Sequence, residues 1–226
     1  MAASVIYKQK VQAPAFTVER ADGTTRDLGA DTAMDSQRIL SRIDRWRILN
    51  ANDTFGVLGN ANNLTPGQLR AFPLVVESDL RVSQLSVFVT AAAVAGNRLR
   101  FGLYRARADG MPEALVYQTP EFIAETNNAE LTATITGGLL LVPDIYYFAV
   151  LTNGGMALRG VPLSMQRMAI WFANPSVTTP VTRLEVAQAY VAGAGGALPA
   201  TFPSGYAQAN GSGFTPAALF VKTSNP

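Results

Sequence analysis

Two residue types that carry much hydrolytic and metal chemistry are missing from this chain, which has no histidine and no cysteine. Without them there is no Ser-His-Asp triad, no Cys-His pair and no conventional zinc or non-haem iron site. Paired carboxylates remain, and glycoside cleavage would need two of them about 5–10 Å apart in a cleft. The acids Asp109, Glu113, Glu125, Glu130 and Asp144 lie in or near turns, where solvated positions are the ordinary expectation. The chain is therefore expected to have no catalytic residues and not to be an enzyme.

Binding chemistry is similarly sparse. Asn50, Asn52, Asp53, Asn60, Asn62 and Asn63 cluster in one stretch, and oxygen ligands suit hard cations such as calcium. Their order is not that of an EF-hand and only Asp53 is charged, so asparagines in turns are expected, with no metal site. Gly193, Gly195 and Gly196 do not open a helix, so neither a P-loop nor a dinucleotide fold is indicated, and no cofactor is expected. Arg38, Arg42, Arg45 and Arg47 could meet phosphates. No aromatic interleaving accompanies them, so nucleic acid is not the expected partner. Of the aromatics Tyr104, Tyr117, Tyr146, Tyr147, Trp171 and Tyr206, most are expected in the core or in strand pairs. Trp171 and Tyr206 are the candidates for contact with a glycan.

The elements that would position these groups read mainly as strands. Leu99, Phe101 and Leu103 alternate with Arg98, Arg100 and Gly102, the period of a half-buried strand. Asp109-Gly110 before Pro112 predicts a turn, with a short strand at 114–118 after it. Leu131, Ala133 and Ile135 alternate with Thr132, Thr134 and Thr136; Gly137-Gly138 is expected to turn the chain into 139–142. Pro143-Asp144 breaks that run. Residues 145–151 are apolar on both faces, which predicts a central strand or one covered on its second side. Further strands are expected at 70–76, 82–90, 165–172, 183–190 and 217–222, with a long loop at 192–213.

The residues FGLYRARADGMPEALV, followed by LLLVPDIYYFAVL, resemble a β-sandwich domain of tailed-bacteriophage virion structural proteins, of fibre or decoration type. The positions that carry the resemblance are Gly102, Leu103, Tyr104, Asp109, Gly110, Pro112, Leu115, Val116, Leu141, Pro143, Tyr146 and Ala149. Asp144 stands where that pattern usually has Gly. The run ALPATFPSGY and then FTPAALFVKT is similar to the end of such domains. The resemblance covers roughly residues 67–226. It implies a non-enzymatic component of a virion, a short fibre or a surface decoration or cement protein, with other capsid, neck or tail proteins as partners.

Charged residues make up 15% of the chain, below the roughly 25% of soluble proteins. With 48% hydrophobic residues, such a chain is expected to cover surface with a partner or with copies of itself. No stretch has signal-peptide character or the length of a membrane span. The expectation is a protein made in the host cytoplasm and resident in the virion, without membrane insertion.

The fold expected is mainly β: an antiparallel, jelly-roll-like β-sandwich preceded by an extended N-terminal arm and one short α-helix. Residues 1–30 read as the anchoring arm, with a possible hairpin around Asp22-Gly23. Residues 31–49 read as the helix, where Ile39, Leu40, Ile43 and Trp46 form an apolar stripe. That stripe either packs on the chain's own sandwich or joins copies in a homotrimer. Residues 50–66 read as a linker and 67–226 as the sandwich.

Overall fold

The computed structural model describes residues 17–19, 25–27, 46–49, 59–92, 95–161, 181–193, 196–210 and 216–223. The chain divides into two compact units, Met1–Leu40 and Ser41–Pro226. In the first, β1 (Thr17–Glu19) pairs antiparallel with β2 (Thr25–Asp27), Val18 opposite Arg26. The expected hairpin is present.

The second unit is a β-sandwich of two antiparallel sheets. Its first strands are β3 (Trp46–Ile48), β4 (Gly59–Leu64), β5 (Gln68–Val76), β6 (Leu80–Ala92) and β7 (Arg98–Ala106). Next come β8 (Pro112–Gln118), β9 (Phe122–Ile123), β10 (Ala129–Leu141), β11 (Asp144–Thr152) and β12 (Met156–Gly160). The last are β13 (Val181–Ala187), β14 (Ala207–Asn210) and β15 (Phe220–Thr223). One sheet runs β14-β13-β5-β11-β7-β8, with β9 also on β7. The other runs β3-β15-β6-β12-β4, with β10 along the opposite edge of β6.

Period-2 alternation, reset once in β6 by the irregularity between Val82 and Leu85, explains how the sheets face each other. Phe72, Leu74 and Val76 of β5, Phe101 and Leu103 of β7, and Phe148 and Val150 of β11 join Val82, Leu85, Val87 and Val89 of β6 in one buried cluster. Phe148 sits edge-on to Phe101, with ring centroids 6.1 Å apart. The strand β11, apolar on both faces, is central: β5 and β7 flank it. Its other face, with Tyr147, Ala149 and Leu151, lies in a second cluster with Leu69, Tyr104, Leu184, Leu198 and Phe202. The sandwich therefore has a third apolar layer, made by the segment after β13 folding back over the seven-stranded sheet.

Several expected boundaries differ. Residues 46–48, expected as the end of the helix, form strand β3 against β15, with Ile48 opposite Phe220. Ile48 packs with Val161, Ala218 and Phe220, so a sheet edge outweighs the helical spacing there. Residues 59–64, expected within the linker, form β4, which β12 pairs through Met156–Leu64 and Ala157–Asn63. Gly137-Gly138 does not reverse the chain. Both have positive φ, at 78° and 74°, and form a bulge inside β10, between Thr134 opposite Gln84 and Leu139 opposite Val82. The rest of the expected helix, residues 31–45, and the expected strand at 165–172 lie outside the described residues. Within the expected loop 192–213, residues 207–210 form β14 on β13.

Candidate functional site

Most of the residues that carry the resemblance belong to β7, β8, β11 and the turn between β7 and β8 in the seven-stranded sheet, while Leu141 ends β10 of the other sheet. Gly102 of β7 has no room for a side chain, since a Cβ there would sit 2.4 Å from the Tyr117 carbonyl and 2.8 Å from Leu198 Cδ1. Tyr104 is buried, and its hydroxyl donates to the Pro199 carbonyl at 2.8 Å. The Phe202 ring stands at 88° to it with centroids 5.2 Å apart. Asp109 Oδ1 closes the turn by accepting from Arg107 Nε at 2.7 Å and Met111 N at 3.1 Å. Those two bonds, the Arg107 one first, hold the Asp109 carboxyl below the usual range. Gly110, at φ 83°, supplies the left-handed residue of that turn, and its carbonyl accepts from Tyr147 Oη at 2.5 Å. Burial pushes the phenols of Tyr104 and Tyr147 upward, so both remain hydrogen-bond donors.

The covering segment is pinned at both ends. Leu115 N donates to Ala200 O at 2.9 Å and Phe202 N to Glu113 O at 2.7 Å, so residues 200–202 run along β8 like an additional short strand. Leu198 N donates to Gln118 Oε1 at 2.8 Å. At its start, Glu121 accepts from Tyr190 Oη at 2.7 Å and from Gly193 N at 3.0 Å. Arg100 lies 3.5 Å and Arg98 3.9 Å from the same carboxylate. The Tyr190 hydroxyl, then the Gly193 amide and the two arginines, hold the Glu121 carboxyl below its ordinary range. Glu125 takes the other side of Arg98 at 3.0 Å. This is a charge-balanced clasp.

The outer face of the six-stranded sheet is built differently, and among the described residues is a candidate for contact with a ligand. Alternation puts Ser86 and Phe88 of β6, Glu130 and Thr132 of β10 and Phe220 of β15 in adjacent register, with Glu130 opposite Phe88 and Thr132 and Phe220 flanking Ser86. Ser86, Phe88, Glu130 and Phe220 line a shallow groove of about 80 Å³. Ser86 Oγ is 3.1 Å and Thr132 Oγ1 2.6 Å from Glu130 Oε1. The Arg159 guanidinium stands 4.2 Å from the centroid of Phe88. Rings, hydroxyls, a carboxylate and a guanidinium on one face offer apolar contact beside donors and acceptors.

Of the acids weighed from sequence, each meets different partners. Asp144 bonds Arg105 at 2.6 Å, Asp109 and Glu125 are engaged as above, Glu113 is exposed, and Glu130 lines the groove on the outer face of the six-stranded sheet. Among the described residues no group of three His, Cys, Asp or Glu could hold a metal ion. Asn60, Asn62 and Asn63 belong to β4, and Asn50, Asn52 and Asp53 lie outside the described residues. Tyr206 is half-buried, its ring 6.1 Å from that of Phe202, in the layer over the seven-stranded sheet. Trp171, Ile39, Leu40 and Ile43 lie outside the described residues, and Trp46 is in β3. Phe88, Ser86 and Phe220 were missed from sequence, because alternation places each on a face without naming its neighbours.

No protein-family model matches this chain, and a search of curated proteins finds no match either.

Proposed function

We propose that the chain is a non-enzymatic structural component of a tailed phage particle, a short fibre or a surface decoration or cement protein. The N-terminal arm, followed by a short helix, anchors it to capsid, neck or tail proteins, and the jelly-roll-like sandwich faces outward. It is made in the host cytoplasm and resides in the virion. The observation that supports this reading most is the work done by the family-like positions. Gly102, Tyr104, Asp109 and Gly110 each have a steric or hydrogen-bonding reason to be what they are. They form the contacts that lock β7, its turn and the covering segment together. A separate compact unit at Met1–Leu40 suits an anchor. The test is deletion of residues 1–30. The remainder should stay folded, with an unchanged circular dichroism spectrum, and should no longer enter particles; normal incorporation would overturn the anchoring role.

A second reading, recognition of a host glycan, is favoured by the groove at Phe88, Glu130 and Phe220 rather than by Tyr206, which is packed on Phe202. Glycan-array binding lost on Phe220→Ala or Glu130→Gln, and retained on Tyr206→Ala, would support it. An array without signal for the wild-type chain would end it.

A further inference from the structure

The edge of β10 that faces away from β6 has no strand beside it among the described residues. An unpaired edge is a row of hydrogen-bonding groups ready for another chain, and proteins usually blunt it with Lys, Pro or an irregularity. From Ala129 to Thr134 the strand has none of these and carries one charge, Glu130. The bulge begins only after Thr134. Two of the four large apolar side chains left exposed among the described residues, Leu140 within β10 and Val142 just after it, belong to this strand and its end.

We propose that β10 pairs antiparallel with β10 of a second copy, about a twofold axis through Thr132. The register follows from the side chains. Pairing Glu130 with Glu130 would oppose like charges. With Thr132 opposite Thr132, Leu131 instead meets Ala133 on the core face, a large side chain beside a small one. On the outer face Glu130 meets Thr134. Thr134 Oγ1 already accepts from Gln84 Nε2 at 3.3 Å, so its own hydrogen is available to the partner's carboxylate. The occupant is a second copy because in this register the edge complements itself, large side chain against small and carboxylate against hydroxyl, as a twofold contact requires. The pairing does not depend on where the protein works, and it differs from the threefold bundle expected from the 31–49 stripe.

Because the chain has no cysteine, Thr132→Cys places a unique thiol at the axis of the pair. Oxidation or a short bis-maleimide should link most of the full-length protein as dimers on a non-reducing gel. Thr134→Cys, offset by four residues from its own copy across the axis, should link several-fold less. Light scattering at micromolar concentration should give twice 24.0 kDa for wild type, and one chain's mass for Thr132→Lys with an unchanged circular dichroism spectrum. A wild-type monomer, a mass of three chains, or equal linking of the two cysteine variants would each overturn the proposal.

Discussion

Gly102→Ala adds one methyl group where the sheet has no space for it. Its Cβ would lie 2.4 Å from the Tyr117 carbonyl oxygen, about 1 Å inside ordinary contact, and 2.8 Å from Leu198 Cδ1. Leu198 can turn away, since it ends a flexible side chain. The Tyr117 carbonyl cannot, because Leu103 opposite Tyr117 fixes it in the β7–β8 ladder. Two effects compete. Alanine favours the folded state by roughly 0.5–1 kcal/mol over glycine through the unfolded chain's entropy, whereas overpacking costs about 1–3 kcal/mol. The overlap involves backbone, so it should win, leaving a net loss of about 1–2 kcal/mol. For a chain of this size that lowers the thermal midpoint by roughly 2–8 °C. Thermal and urea unfolding followed by circular dichroism would measure it, with Gly110→Ala as a comparison. Gly110 has open space around it but a φ of 83°, so its penalty is strain without overlap. A Gly102→Ala protein as stable as wild type, or more stable, would refute the steric argument.

Other outcomes follow from the same contacts. Tyr104→Phe leaves the Pro199 carbonyl without its 2.8 Å donor, and should lower unfolding free energy by about 1–2 kcal/mol in urea titrations. Phe148→Ala opens a cavity between the sheets beside Phe72 and Phe101, at a cost of about 3–5 kcal/mol by the same measurement. Glu121 has its folded pKa below the unfolded value. The stability it contributes is thus fully present above the unfolded pKa of about 4.3 and is lost as pH falls through the folded pKa. The difference between wild type and Glu121→Gln in urea midpoint should therefore be constant above about pH 5.5 and shrink below about pH 4.3; a difference that grows on acidification would show the carboxylate is not held ionised.

Legibility from sequence followed the range of the contacts. The central strand β11 was readable because burial on both faces leaves a continuous apolar run, and the β1–β2 hairpin because Asp22-Gly23 carries a local turn signal. Where a partner distant in the chain decides the outcome, reading failed. Trp46–Ile48 looks helical in isolation, yet its register is set by Phe220–Lys222, about 170 residues on. The Asn-rich β4 has weak strand propensity and is held by Met156–Leu158 of β12. Gly137-Gly138 suits a turn or a bulge equally well, and Val82 across the ladder from Leu139 decides for the bulge. The groove was illegible for the same reason, since Phe88, Glu130 and Phe220 come from three strands that meet only in the sheet. In the resemblance pattern only the Asp109 turn is held by local bonds, whereas Gly102, Tyr104 and Gly110 are constrained by Leu198, Pro199 and Tyr147 from other parts of the chain.

The claim that this chain is a building block of a tailed phage particle is tested most directly by where it ends up. Gradient-purified, nuclease-treated particles from cells making the protein can be quantified by mass spectrometry. Reconstruction of the same particles by electron microscopy would then locate the sandwich. A fixed number of copies per particle is expected, retained through a high-salt wash, with sandwich density on the outside and the N-terminal unit against a capsid, neck or tail protein. Protein that remains in the soluble fraction, with intact particles that lack it, would rule out a structural role in the particle.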